Sequence, residues 1–451
     1  MIRRLIGFGF ISKFIEAFCG ILAIGLITNM ASPEEIGRFV VIHSFLLLLS
    51  PLIDAGLTEA YLRSRDQTQY RKSAYYTINL CISLIAAILL ILFSLVVHTQ
   101  SVDFALYHGT VLALTIFLTG LTRQDQAHLL KEERFNALYM INIVSQISGV
   151  FYLYIIFESE KYTERALSER FFIISAVASV LFLSGRKQRL SIVRVSMETI
   201  REDLKFSLSI LTNRITSGLS LSIDKYIIGL LYGTQVLGVY SIGIQIARLL
   251  DSLIRMTLTN IYFPIMSNRN FNYLGWIRSN NTFYALITLG VVFFQVLFPM
   301  SINFLMSEKW LPLSEYATTF GIYGLGIVLS GLCSYNSMIR NELFRLSKLN
   351  VLNVLIIVII YLSSRLFNVE FGAALQLVAI TNVVYWMASL FYMNRQLFQG
   401  TKSIFFGGAS TALVISGLIN PIYFYQSLLI TTTYLVISLM AVYILITEKL
   451  I

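Results

Sequence analysis

Runs of roughly 20 apolar residues, separated by short polar breaks, recur from one end of the chain to the other. Each is long enough to cross a ~30 Å hydrocarbon core as a helix. Segments such as 74–97 and 403–420 show none of the strict alternation that a spanning strand requires. The pattern therefore predicts fourteen helical spans, at about 6–30, 39–57, 74–97, 109–127, 137–157, 170–184, 206–231, 236–265, 282–304, 316–338, 350–367, 372–392, 403–420 and 427–446. The apolar run at 5–30 follows Arg3-Arg4, as a secretory signal would. It is too long for a signal core and lacks a small-x-small cleavage site, so it reads as the first span. The expected fold class is all-α and polytopic.

Charge orients these spans. Only 13% of the 451 residues are charged, against about 25% in soluble domains. Loops after even-numbered spans, with both termini, hold about 22 Lys and Arg, and loops after odd-numbered spans hold about six, span-edge residues such as Arg38 included. The excess of Lys and Arg marks the cytoplasmic side, which places both termini there. The net charge of +10 sits in alternate loops rather than on one soluble face, which argues against a nucleic-acid partner. External loops are short, 158–169 and 306–315 being the longest, so no soluble domain fits outside the membrane. That argues against a membrane glycan polymerase or ligase, an enzyme class that works on a large external loop.

An internal repeat divides the chain. Glu35-Ile36-Gly37-Arg38-Phe39 resembles Val236-Leu237-Gly238-Val239-Tyr240, and the same offset of about 201 residues aligns Lys13 with Arg214, Arg4 with Lys205 and Asp54 with Arg255. The expected organisation is an N-lobe at 1–184, a cytoplasmic linker at 185–205, a C-lobe at 206–392 and an accessory helix pair at 393–451. The linker holds Arg186, Lys187, Arg189, Arg194, Arg201 and Lys205, whereas 403–447 contains no charged residue or histidine.

Six cations lie inside apolar spans: Lys13, Arg123, Arg214, Lys225, Arg248 and Arg255. A charge at the bilayer centre costs roughly 2.5–3.5 kcal/mol, so such residues are expected to face a water-filled cavity. Five acids share the spans: Glu16, Asp54, Asp125, Asp224 and Asp251. Lys13 and Glu16, three apart, share a helix face and form either an intrahelical ion pair or a lumen cation with a neighbouring carboxylate. Arg214 has no carboxylate three residues on, where Ser217 stands. Arg248, Asp251 and Arg255 make one stripe in which Asp251 can neutralise one arginine but not both, so the surplus charge either meets an oxyanion or joins a structural network with an acid such as Asp54. Asp224 and Lys225 point about 100° apart and read as a structural or gating pair. Arg123 and Asp125 lie near the cytoplasmic end of their span, where Arg can snorkel or anchor a loop. The histidines and the three cysteines share no metal-ligand spacing, and there is no phosphate-cradling glycine loop. No cofactor is expected. A coupling ion, proton or sodium, could bind Glu16, Asp54 or Asp224.

Two patches carry a family likeness. One runs over 26–63, with Ser32-Pro33-Glu34-Glu35-Ile36-Gly37-Arg38-Phe39 and Leu52-Ile53-Asp54-Ala55-Gly56-Leu57. The other has Ile223-Asp224-Lys225-Tyr226-Ile227-Ile228-Gly229, then Leu237-Gly238-Val239-Tyr240 and Phe263-Pro264-Ile265-Met266-Ser267. The sequence resembles the polysaccharide transporter branch of the multidrug/oligosaccharidyl-lipid/polysaccharide (MOP) exporter superfamily, and within it Wzx-type O-antigen flippases. That resemblance implies two six-helix lobes around a central cavity, in the manner of MATE transporters. It also implies transport of an undecaprenyl-diphosphate-linked repeat unit between leaflets of the bacterial inner membrane, alongside a polysaccharide polymerase and a chain-length regulator. The cationic lumen of such flippases is matched by Lys13, Arg214, Arg248 and Arg255, with Glu16, Asp54, Asp224, Lys225 and Asp251 in coupling or gating. Many O-antigen flippases have twelve spans, and fourteen also fits lipid II flippases. A lipid II flippase or a drug/cation antiporter of the superfamily is the alternative.

Overall fold

The computed structural model describes residues 2–257 and 306–393, apart from short breaks at 55, 64–67, 99–100, 160–163, 187–189, 196 and 340–341. Thirteen α-helices are described: α1 (Ile2–Met30), α2 (Pro33–Asp54), α3 (Leu57–Arg63), α4 (Gln69–Val97), α5 (Val102–Lys131), α6 (Phe135–Glu158), α7 (Ala166–Ser184), α8 (Met197–Tyr232), α9 (Thr234–Thr257), α10 (Leu311–Glu315), α11 (Ala317–Ile339), α12 (Leu343–Leu366) and α13 (Phe371–Met393). No strand occurs among the described residues. Nine helices there are long and apolar enough to cross a membrane. The expected spans at 282–304, 403–420 and 427–446 lie outside the described residues, as does most of the accessory segment 393–451. Contacts divide the chain into two compact units, Met1–Tyr226 and Ile227–Ile451, the division falling inside α8.

The second expected span is interrupted. α2 begins with a reciprocal cap: the Glu35 amide donates to Ser32 Oγ (3.3 Å), while the Ser32 amide donates to Glu35 Oε2 (2.6 Å). Pro33 fills the first helical position, where a missing N–H costs nothing. Further on, Pro51 cannot donate to the Leu47 carbonyl, and the Ser50 hydroxyl takes that acceptor at 3.0 Å. α2 stops at Asp54, Gly56 turns the backbone with φ +75°, and α3 starts at Leu57. Only glycine adopts that φ without steric strain. Asp54 Oδ1 then accepts the Thr58 amide (3.1 Å) and hydroxyl (2.5 Å), securing the first turn of α3.

In the first unit α4 lies along α5, α1 packs on α6, α7 is wedged against α5 and α6, and α2 packs on α4 and α5. The α4–α5 seam is built from small residues, as close helix approach in lipid requires. A Cβ on Gly120 would stand 2.3 Å from Ser83 Cβ, and one on Gly109 2.1 Å from Ser94 Oγ. The opposite face of α4, with Leu84, Ile85, Ile88, Leu92 and Val96, is exposed and suited to acyl chains. Gly120→Ala is expected to destabilise the seam by about 1–3 kcal/mol through overpacking, and Ser83→Gly should restore most of that loss. Thermal melts in detergent read both; a silent Gly120→Ala would show that the seam is not close-packed.

In the second unit α11 sits between α9 and α13. Gly243 of α9 faces the Phe320 ring, and Gly326 of α11 faces Asn382 of α13. Two hydrogen bonds join buried polar atoms across helices: Asn353 Nδ2 donates to Asn382 Oδ1 at 3.3 Å, and the Tyr385 hydroxyl to the Leu349 carbonyl at 2.8 Å. Such bonds satisfy groups for which hydrocarbon offers no partner.

Candidate functional site

Within the first unit a charge cluster forms where α2 breaks. Arg214 of α8 donates from Nη1 to Asp54 Oδ2 and from Nη2 to Glu59 Oε1. Asp54 is buried, while Arg214 and Glu59 remain about one third exposed, so the cluster is wetted from one side. α8 is held beside it by Ser207 Oγ, which donates to the Gly56 carbonyl (3.2 Å), and Gly218 lies against Pro51. Arg123 of α5 stands in electrostatic reach of Asp54, Glu59 and Arg214. Its Nη1 donates to Gln126 Oε1 at 2.8 Å, and its buried Nε has no hydrogen-bond partner. Two guanidinium groups and two carboxylates thus balance. Ser217 is the wrong place to look for the acid of Arg214, because the carboxylates come from α2 and α3. Asp54, aligned with Arg255 by the repeat, is the partner of Arg214.

Other expected residues separate into distinct settings. Lys13 and Glu16 form an ion pair at 2.5 Å, each side chain about 40% exposed. Asp224 and Lys225 are both buried, and the Lys225 amide donates to Asp224 Oδ1 at 2.9 Å. Arg248 lies partly buried on α9 in the second unit. Asp251 and Arg255 follow on the same helix, and their side chains lie outside the described residues. No group of acids, histidines and cysteines able to hold a metal ion occurs among the described residues.

Asp125 anchors the segment after α7. Arg186 Nε and Nη2 donate to Asp125 Oδ1 (2.8 Å) and Oδ2 (2.6 Å), and the guanidinium lies 5.3 Å from the Tyr76 ring centre. The hydrogen bond and charge of Asp125 push the Arg186 pKa further up. The chain then runs extended along the first turns of α4. The Ser191 amide donates to Ser73 Oγ (3.4 Å), the Val193 amide to Thr77 Oγ1 (3.1 Å), and the Tyr70 hydroxyl to the Arg194 carbonyl (3.0 Å).

At the other end of the unit the rings of Phe39, His43 and Phe171 stack. His43 to Phe171 is 4.5 Å between centroids and Phe39 to His43 is 5.5 Å. Arg170 lies beside them on α7, 5.6 Å over Phe171. Sequence reading passed over Arg170 because it set the start of that span at 170; α7 starts at Ala166, which carries Arg170 a full turn inside. Glu59 was missed for a similar reason, being assigned to a loop that is helix α3.

The profile of a family described as polysaccharide biosynthesis protein matches residues 26–315. The teichuronic acid biosynthesis protein TuaB of Bacillus subtilis (strain 168) is 22% identical over 319 residues, 68% of this chain and 65% of TuaB. The alignment thus spans under two thirds of that relative's length. Among solved structures, the lipid II flippase MurJ in an inward closed conformation superposes with a TM-score of 0.69 at 14% identity, over 98% of both chains. A MOP superfamily transporter from Pyrococcus furiosus superposes with a TM-score of 0.60 at 14% identity, over 88% of this chain and 95% of that one. With its many apolar helices, this chain is a multi-pass membrane protein of the MOP transporter fold, and it belongs to the polysaccharide biosynthesis protein family.

Proposed function

We propose that the chain is a flippase that carries an undecaprenyl-diphosphate-linked oligosaccharide from the inner to the outer leaflet of a bacterial inner membrane by alternating access, with both termini cytoplasmic. The observation that carries this reading is Arg214, a guanidinium of α8 held by carboxylates of α2 and α3. Such a group is exchangeable: a diphosphate offers the same paired oxygens as Asp54 and Glu59 and competes for the same fork. Leaving water is what stops a diphosphate from crossing lipid unaided, and a guanidinium supplies the lost solvation. The polyprenyl tail stays in lipid throughout. Family membership supports a role in polysaccharide assembly.

Lys13, Arg248 and Arg255 complete the proposed cargo contacts. Glu16, Asp54, Asp224, Lys225 and Asp251 serve coupling or gating, with proton or sodium as the coupling ion and no resident cofactor. A polysaccharide polymerase and a chain-length regulator are the proposed protein partners. The test is translocation of a fluorescent lipid-linked oligosaccharide in proteoliposomes, with and without imposed ion gradients. Arg248→Ala should slow it at least about tenfold, the loss of one charge-assisted hydrogen bond of roughly 1.5–3 kcal/mol. Wild-type rates in that variant would remove Arg248 from the cargo path, and no translocation by the unmutated protein would sink the flippase reading. Lipid II is the second cargo to assay, favoured by the likeness to MurJ over 98% of the chain.

A further inference from the structure

A cavity of about 650 Å³, its open mouth included, lies within the first unit where the ends of α3, α5 and α7 meet the starts of α4 and α6. The two carboxylates that line it are already engaged. Asp125 accepts from Arg186 with both oxygens (2.8 and 2.6 Å), and Glu132 is shared between His128 Nε2 (3.1 Å) and Arg134 Nη1 (3.6 Å). Donors are left over. Gln124 of α5 lines the cavity at only 3% exposure, and its Nε2 has no hydrogen-bond partner. A buried donor in that state marks a missing acceptor. The Arg134 guanidinium makes one side-chain contact, the approach to Glu132, which is too long for a hydrogen bond. α6 starts beside the same cavity with no acid in its first turn and no side-chain cap, so the positive end of that helix is unopposed. The rest of the lining is largely apolar, with Ile141 of α6 and Leu181 and Phe182 of α7. Both helices also carry exposed apolar residues close by, Met140 and Val144 on α6 and Val180 on α7.

We infer that this cavity binds a phosphate group, held by Gln124 inside and by Arg134 at the rim, and that it shares no residue with the Arg214 cluster. It does not depend on the flippase reading. A phosphate oxygen accepts from a carboxamide and from a guanidinium alike, and no existing ion pair has to open. The terminal torsion of Gln124 is soft, so the carboxamide turns its nitrogen to a ligand without moving the helix. A metal ion is the wrong occupant, because both carboxylates are bonded to cations. The apolar lining suits a phosphate that arrives on a lipid, with the glycerol and chains against Ile141, Leu181 and Phe182. A soluble phosphate would use the same donors without that wall. In the proposed orientation the cavity faces the cytoplasmic leaflet, and its occupant would tie α5 and α6 to the segment that Arg186 begins.

The test titrates the full-length protein in detergent with short-chain phosphatidylglycerol, short-chain phosphatidylcholine and inorganic phosphate, reading the rise in melting temperature. Gln124→Glu, which sets a carboxylate against the phosphate at equal size, should weaken binding about tenfold or more. Arg134→Gln should weaken it by a smaller factor, and Arg134→Lys should recover part of that loss. Gln124→Met covers the case in which the buried Glu unfolds the protein; it removes the donor without adding a charge and should also lower affinity. Binding of phosphatidylglycerol alone assigns the site to a membrane headgroup, and binding of inorganic phosphate, with or without the lipid, to the phosphate group by itself; both outcomes support it. Unchanged affinity in Arg134→Gln, or in Gln124→Met once its fold is confirmed, overturns it. So does phosphatidylcholine binding as tightly as phosphatidylglycerol, or no response of the unmutated protein to either anionic probe.

Discussion

Arg214→Ala is expected to abolish translocation and to lower stability by about 2–4 kcal/mol, because removing one partner of a largely buried ion pair strands the other. Here two carboxylates are stranded, and Asp54 is almost fully buried. Arg123 supplies the only other nearby cation among the described residues of the cluster, and it stands close to both acids without a bond to either. The triple variant Arg214→Ala, Asp54→Ala, Glu59→Ala should therefore recover much of the melting temperature while remaining inactive. That split separates a binding role from a scaffold role. Should the triple variant translocate cargo at the unmutated rate, Arg214 would be a structural tether and the cargo contact would lie elsewhere. Reversal to Glu should be worse than Ala, since three carboxylates would then crowd one break in α2.

Asp125→Ala should cost about 2–4 kcal/mol for the same reason, as Arg186 loses both of its acceptors while only 17% exposed. The damage should spread beyond the pair. Arg186 is the first fixed point of the segment that continues along α4 through Ser191 and Val193. Limited proteolysis reads the effect directly: cleavage between 186 and 196 should accelerate in Asp125→Ala. It should stay fast in the double variant with Arg186→Met, even though that pairing restores most of the melting temperature. Equal cleavage rates in all forms would show that the hydrogen bonds to α4 hold the segment by themselves.

The helices were legible because lipid leaves little freedom. A stretch of 20 apolar residues has one low-energy form in hydrocarbon, and eleven of the fourteen expected spans overlap described helices, nine of which are long and apolar enough to cross a membrane; α8 and α9 are helical but more polar, and the other three spans fall outside the described residues. Breaks were less legible. The α2–α3 interruption depends on a positive φ at Gly56 and a side-chain cap from Asp54, and neither disturbs the hydropathy of 39–57. The same limit applied to the charges. Which charges lie inside long helices can be read from spacing alone, as for Arg214, Asp54 and Lys225. Which carboxylate meets which cation is decided by packing between helices 150 or more residues apart in sequence, as Arg214 is from both Asp54 and Glu59. Pairing along one helix was recoverable: Lys13 and Glu16 meet as their i,i+3 spacing allows.

Asp54 has one oxygen turned to Thr58 and the other to Arg214. Anything that claims the second oxygen's negative charge also weakens the grip on the first, so a short helix start and a long helix crossing are thermodynamically linked through a single side chain. A proton or a sodium ion taken up at that oxygen would be felt at Thr58, whereas a phosphate that draws Arg214 away would leave Asp54 more negative and tighten its hold there. Amide hydrogen exchange at Thr58, followed while cargo is titrated in, would report that linkage without a label anywhere near the binding residues.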